Sequence, residues 1–252
     1  MWEPVHARYK PFFDCAAELT GIVNDLIKTP VQGKLLLVVG RMVAAASNTA
    51  GALQLLVLNG YGHDAMKLAR SIFETEVNIA WFHLHPTEID DFTEYHHIQQ
   101  KQYFDIFTDE QKARLPKEQY DEMMTAYNTV LHRYATKSDP SRPRNEWCSQ
   151  SLHARAKETG LLDLYRAFYG PASSIHHLDF AGLAASSDDE HFADMAPSWE
   201  HLDTALTAIG SWYRCVVTYD EMGSLGFRDK LEQGPGSSFV QACKRKARTS
   251  PR

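Results

Sequence analysis

Several chemically reactive residues of this sequence follow one another at helical spacing. Tyr169, Ser173 and His177 are four positions apart, and His176 adjoins the last of them. Residues four apart share a face of an α-helix, so these side chains would form one polar stripe. A serine and a histidine at this spacing suggest a nucleophile and its general base. Two half-exposed histidines near a helix start would give the same pattern without catalysis, and both interpretations stay open here.

A second pair, Arg70 and Glu74, is also four positions apart and can form an ion pair on one helix face. Composition alone favours an ordinary solvated pair. Apolar residues, however, occupy most of the helix circumference around the two: Met66, Leu68, Ile72, Phe73, Val77, Ile79 and Trp81. A helix of this kind is usually central, in which case Arg70 and Glu74 would be buried and would need partners.

His96 is a further candidate, because its spacing predicts an inward stripe shared with Ile89, Phe92, Gln99 and Tyr103. In such a stripe it would serve as a site residue or as a hydrogen-bonded core histidine. Glu74, His176 and His177 are of types that bind divalent metals, so whether a metal is bound stays open. No nucleotide-cofactor motif occurs in the sequence.

The composition and the absence of known motifs argue against several classes of function for this protein. With 44% hydrophobic and 23% charged residues, the chain has ordinary globular composition. Its formal net charge of -6 argues against a dedicated nucleic-acid binder, which usually carries a basic field. Walker, GxGxxG, HExxH and GxSxG patterns are absent, as is the Arg-x-x-x-x-His signature of one class of helical-bundle ribonucleases.

The four cysteines are far apart, at Cys15, Cys148, Cys215 and Cys243. This scatter predicts neither a zinc cluster nor a disulfide framework and is typical of a cytoplasmic protein. Residues 1–14 show no apolar signal-peptide core. We therefore expect a cytoplasmic protein without a membrane segment.

The apolar period is helical nearly throughout and predicts an all-α, single-domain bundle of about seven to eight helices. Helices are expected at about 34–58, 63–84 and 198–222, with a break at Gly160 and a restart after Pro171. The alanine-rich middle of residues 35–58 predicts a buried central helix, and bundles built on such helices often form homodimers. We assign residues 1–222 to the bundle and 223–252 to a mobile Gly/Ser-rich and basic tail.

Three motifs occur in a fixed order along the chain. They are Arg70-Ser71-x-x-Glu74, then Trp147-x-Ser149-x-Ser151-Leu152-x-x-x-Ala156-x-x-x-Gly160, then Tyr165-x-x-x-Tyr169-x-x-x-Ser173-x-x-x-His177. In this order they resemble a widespread bacterial all-helical family known only as a domain of unknown function. The resemblance covers roughly residues 53–185. One departure is the doubled His176-His177, which leaves the register of the family's single histidine open by one residue.

The resemblance implies the all-helical fold and a shared polar cluster of Arg70, Glu74, Ser173 and His177, which His96 could join from another helix. It implies no activity. Members look similar to helical modules of bacterial defence and toxin systems, but in fold class alone.

Two functional hypotheses follow. The first is a hydrolase-type enzyme acting on a phosphoester or another small polar substrate. In it, Arg70, Tyr169 and His96 bind substrate, His177 acts as general acid or base with Ser173 beside it, and Glu74 orients the histidine or holds a metal. The second is a non-catalytic interaction or defence-system module whose buried polar cluster fixes helix packing.

Overall fold

The computed structural model describes residues 2–177, 199 and 201–237. Over these residues the chain is all-α, as predicted, and the only extended pairing within them is an isolated bridge between Ala135 and Pro143. The contacts divide the chain into two compact units, whereas its periodicity predicts one domain over residues 1–222. One unit is His85–Ser151, and the other combines the chain before and after it.

The first unit begins with three long helices: α1 (Trp2–Leu26), α2 (Lys34–Leu58) and α3 (Gly62–Leu84). The bounds of α2 and α3 confirm the helices predicted from the apolar periodicity. Helix α1 contains Pro11 and is kinked at Tyr9, which has φ -106° and ψ 16°. The kink follows because a proline cannot donate the hydrogen bond that its position in the helix requires.

The second unit opens with a 3₁₀ turn, Pro86–Glu88. It continues through α4 (Ile89–Glu94), α5 (His96–Asp105), α6 (Asp109–Ala113) and α7 (Lys117–Tyr134). Helix α6 starts at a capping box, in which Thr108 and Gln111 exchange side-chain and backbone hydrogen bonds. Helices α5 and α7 pack against each other, and Tyr95 and Tyr134 meet edge to face.

The chain then returns to the first unit in α8 (Leu152–Glu158) and α9 (Leu162–Leu164), a π turn (Tyr165–Tyr169) and α10 (Gly170–His177). After residues outside the described range it resumes in α11 (Leu202–Leu206), α12 (Ala208–Gly223) and α13 (Arg228–Leu231), followed by a π turn, Glu232–Gly236. Gly160 separates α8 from α9 at φ +76°, a left-handed conformation that glycine adopts readily. This is the break expected from the sequence.

Helix α3, rather than α2, is the centre of the first unit. It packs against α2, α8, α10, α11 and α12 and buries most of its circumference. The prediction that α2 is a buried central helix is wrong: it buries one face, while Leu37 and Leu55 on the other face are 50% and 64% exposed. The alanine-rich centre of α2 allows close packing with α3 without requiring neighbours on every side. By length and composition alone, α2 is also the described helix that could cross a membrane, which is weak evidence for a span.

Helix α12 is tied to its neighbours by buried polar groups. Arg214 pairs with the Glu76 carboxylate on α3 and donates to Ser211 at 3.3 Å. Trp212 donates to the Ser47 hydroxyl on α2 at 2.8 Å. Glu76 is only 3% exposed, so its charge depends on Arg214 for compensation.

Part of the stretch predicted to be a tail, residues 223–252, packs on the first unit. Residues 224–236 form α13 and the following π turn, and both pack on α1 with Leu231 and Pro235 buried. Two apolar side chains among many polar ones are a weak periodic signal, which explains the misplaced boundary. The basic residues from Lys244 onward lie outside the described residues, as do Asp179 and the acidic stretch 186–196.

We predict that Arg214→Met lowers the free energy of unfolding by about 2–3 kcal/mol, because Glu76 would keep a buried charge with no counterion. This loss is smaller than the one expected for a fully buried ion pair, because the Arg214 side chain is partly exposed. Urea denaturation followed by circular dichroism measures the change. Arg228→Met is the matched control: Arg228 pairs with Glu221 and Glu232 on the surface, and its loss should change the free energy of unfolding much less. Equal losses in the two variants would contradict the buried role of Glu76.

Candidate functional site

Helix α3 positions the first two site residues. Its buried face includes Ile72 and Phe73, which leaves Arg70 and Glu74 at the edge of the packed surface. Arg70 Nε donates to Glu74 Oε1 at 2.9 Å, and the side chains are 16% and 37% exposed. The pair is therefore neither fully buried nor freely solvated. Its exposure lies between the solvated surface pair and the buried pair that the sequence left open.

Tyr169 and His177 reach this pair from the chain segment that packs across α3. The π turn ends at Tyr169, whose ring lies 5.8 Å from that of Phe73 and stacks on Tyr165 at 4.9 Å. Helix α10 follows directly and packs on α3, so its last residue, His177, comes to the side of Arg70. Aromatic packing thus fixes the backbone that presents both polar side chains.

The four side chains form one hydrogen-bonded group, which we call the Arg70 cluster (Arg70, Glu74, Tyr169 and His177). The Tyr169 hydroxyl donates to Glu74 Oε1 at 2.8 Å, and Arg70 Nη1 lies 3.1 Å from His177 Nε2. The guanidinium also lies over the Tyr169 ring, 5.1 Å from its centroid. Because a guanidinium can only donate, His177 must accept through an unprotonated Nε2.

The environment of the cluster affects two titrating groups. Burial, reinforced by the hydrogen bond to Glu74, raises the pKa of Tyr169 to about 12, so its phenol stays a donor well above neutral pH. Burial, followed by the positive charge of Arg70, lowers the pKa of His176. His176 is therefore mostly neutral at pH 7.

Ser173 and His176 lie beside the cluster but outside its hydrogen bonds. Ser173 is half-buried one turn before His177, and its hydroxyl makes no hydrogen bond within the described part of the chain. The His176 ring is exposed and meets the His177 ring edge to face at 5.1 Å. Of the two histidines, His177 is the one that contacts Arg70.

His96 belongs to the second unit, and its predicted inward position is wrong. It is exposed, as are Gln99 and Tyr103, while Tyr95 and Ile98 are buried. Its Nδ1 donates to the Thr93 carbonyl at 2.6 Å. The prediction assumed one continuous helix, whereas α4 ends at Glu94 and α5 begins at His96, which resets the inward phase.

The metal candidates Glu74, His176 and His177 do not form a three-residue site. Among the described residues, no group of three or more His, Cys, Asp or Glu side chains could hold a metal ion. Arg70 bonds to both Glu74 and His177, and its positive charge there opposes a cation at the same position.

The sequence analysis missed two polar contacts that converge on α3. Glu76 pairs with Arg214, and Asn78 accepts a hydrogen bond from Arg155, which is 4% exposed. Glu76 follows Ile72 by four positions on the buried face, and a charged residue at that position was the available signal. Nothing in the sequence around Arg155 distinguishes it from a surface arginine.

The helical architecture and the motif order define an all-α protein with a polar cluster on its central helix. The chain belongs to DUF5677, a family of unknown function, which it matches over residues 36–193. The matched stretch includes every member of the Arg70 cluster. Neither a search of curated proteins nor one of solved structures finds a match to this chain.

We predict that Tyr169 ionises near pH 12 and that Glu74→Gln lowers this value towards 10, because the variant removes a negative charge that disfavours the phenolate. The raised pKa means that the folded protein loses stability as the pH rises from about 10 to 12, where the unfolded chain has already released this proton. Ultraviolet difference titration against Tyr169→Phe isolates the signal. An unchanged Tyr169 titration in Glu74→Gln would rule out their hydrogen bond.

Proposed function

We propose that the Arg70 cluster is an acid–base site of hydrolase type that acts on a phosphoester or a similar small anionic substrate. The observation that carries this proposal is the contact between Arg70 Nη1 and the unprotonated Nε2 of His177. It places an anion-binding group and a proton acceptor side by side at a partly exposed position.

Arg70 is suited to bind the substrate anion. Guanidinium groups recognise phosphate and carboxylate through paired N–H donors in a fixed plane. Glu74 holds Nε, and the Tyr169 ring supports the guanidinium face, so the outer nitrogens have a defined direction. Nη2 makes no hydrogen bond to the described residues and can donate to a ligand.

His177 is suited to transfer the proton. In the free protein its Nε2 lone pair accepts from Arg70. An anion that takes over this N–H of Arg70 leaves Nε2 able to accept a proton from water or an alcohol. Ser173, one turn earlier on α10, would then be a neighbouring hydroxyl for substrate contact or nucleophilic attack.

The alternative is a non-catalytic interaction or defence-system module. It is supported by the hydrogen bonds that the cluster residues make with one another. Glu74 accepts from both Arg70 and Tyr169, and Arg70 donates to His177. In this case the cluster serves to hold α10 against α3, and its removal lowers stability rather than activity.

We further propose a bacterial, cytoplasmic protein that forms homodimers and does not bind nucleic acid stably. The buried thiols Cys15, Cys148 and Cys215 are not in disulfides, which supports a reducing compartment. Leu55 of α2, which is 64% exposed, supports contact between copies.

We predict that His177→Asn and Arg70→Gln each lower kcat/KM by about 100-fold or more, because each removes one function of a proton-transfer site. The assay uses bis(4-nitrophenyl) phosphate and 4-nitrophenyl phosphate, with the metal content of each sample measured by elemental analysis. Lys67→Gln is the matched control, since Lys67 lies one turn before Arg70 and pairs with Asp64. It should retain wild-type activity.

Urea denaturation of the same variants separates the two functions. Full stability with lost activity supports the enzyme. No hydrolysis by the wild type, together with a large loss of stability in Arg70→Gln, would support the structural module instead.

A further inference from the structure

A cleft in the first unit, distinct from the Arg70 cluster, lies between the end of α1, the following loop, α2 and α12. We call it the α2–α12 cleft. Its volume is about 230 Å³. Its apolar wall consists of Ile27, Val31, Leu36, Leu37 and Ala44. Ile27 and Leu37 are 43% and 50% exposed, so the cleft offers apolar surface that the described chain does not cover.

The Tyr219 side chain lies at the wall of this cleft. Tyr219 is 2% exposed, and its hydroxyl makes no hydrogen bond with the described residues. A phenol hydroxyl at a cleft wall that makes no hydrogen bond within the described chain can donate to an acceptor bound in the cleft.

Gly40 lets the hydroxyl reach this position. A methyl carbon at Gly40, which also lines the cleft, would stand 2.6 Å from the Tyr219 oxygen. Any larger residue would push the phenol aside. Burial also raises the pKa of Tyr219, so the group remains a neutral donor at physiological pH.

Arg41 adds a positive charge at the same opening. It lines the cleft, is exposed, and forms no ion pair within the described part of the chain. One cation and one neutral donor beside an apolar cleft match a singly charged carboxylate on an apolar chain. A phosphate group would call for more positive charge than Arg41 supplies.

The cleft volume limits the size of the ligand. Pockets for drug-sized molecules are usually at least about 300 Å³, and this cleft is smaller. At roughly 30 Å³ per water, it holds the volume of about eight water molecules, or a chain of about as many carbon atoms. We propose that the α2–α12 cleft binds a medium-chain fatty acid, whose chain lies on Ile27, Val31 and Leu36 and whose carboxylate accepts from Tyr219 and Arg41.

Isothermal titration calorimetry with sodium octanoate, below its micellar concentration, tests the proposal on the full chain. We expect one saturable site per chain. Octan-1-ol, which keeps the chain without the charge, and acetate, which keeps the charge without the chain, should each bind at least tenfold more weakly.

Tyr219→Phe keeps the ring and removes the hydroxyl, and it should weaken octanoate binding about tenfold or more. Arg41→Gln should weaken it severalfold and remove its salt dependence. Ala44→Leu fills part of the cleft at a half-exposed position and should abolish binding even if Tyr219→Phe fails to fold. Arg114→Gln alters an exposed arginine of the second unit and should bind octanoate as the wild type does.

Three results would overturn the proposal. The first is the absence of octanoate binding by the wild type. The second is binding that Tyr219→Phe and Ala44→Leu both leave unchanged. The third, from sedimentation velocity, is a wild-type dimer that Ala44→Leu dissociates, because a second copy would then occupy the cleft.

Discussion

The burial of α3 on most of its circumference is the constraint on which the first unit depends. Five helices pack on it, so every polar side chain that it carries must find a partner or lie at a gap between neighbours. Glu76 is 3% exposed and pairs with Arg214, while Arg70 and Glu74 lie beside α10 and are partly exposed. The same packing therefore produces a structural ion pair on one side and an accessible polar cluster on another.

Periodicity predicted the all-α class, the bounds of α2 and α3, and the break at Gly160, because these are set by local patterns of apolar and glycine residues. The break expected at Gly170-Pro171 is wrong, since the backbone stays helical from Leu162 to His177. It could not predict which long helix is central. Helix α2 is the more apolar of the two, yet α3 has more neighbours. That choice is made by contacts distant in sequence, such as that of Arg214 with Glu76 and the packing of α8 and α10 on α3. His96 was misplaced because a one-residue interruption at Tyr95 changes a helix phase without leaving a clear sequence signal.

The candidate site was partly predictable for a similar reason. Arg70 with Glu74, and Tyr169 with Ser173 and His177, share faces through local helix geometry alone. That the two faces meet depends on the aromatic packing of Phe73 with Tyr169, which no local pattern specifies. The cluster lies wholly within the stretch that matches the family, whereas Ile27, Val31 and Tyr219 of the α2–α12 cleft lie outside it.

The pairing of Glu76 with Arg214 also has a consequence for biosynthesis. The two residues are separated by 138 positions, and the whole second unit is made between them. During synthesis, α1 to α3 leave the ribosome before α12 has been made. Until then α3 exposes an apolar surface, and the Glu76 carboxylate has no counterion from α12. The second unit is continuous in sequence and can fold in the meantime. The first unit can therefore complete the packing around its central helix only after α12 has been made, so its folding depends on residues that follow the whole second unit in sequence.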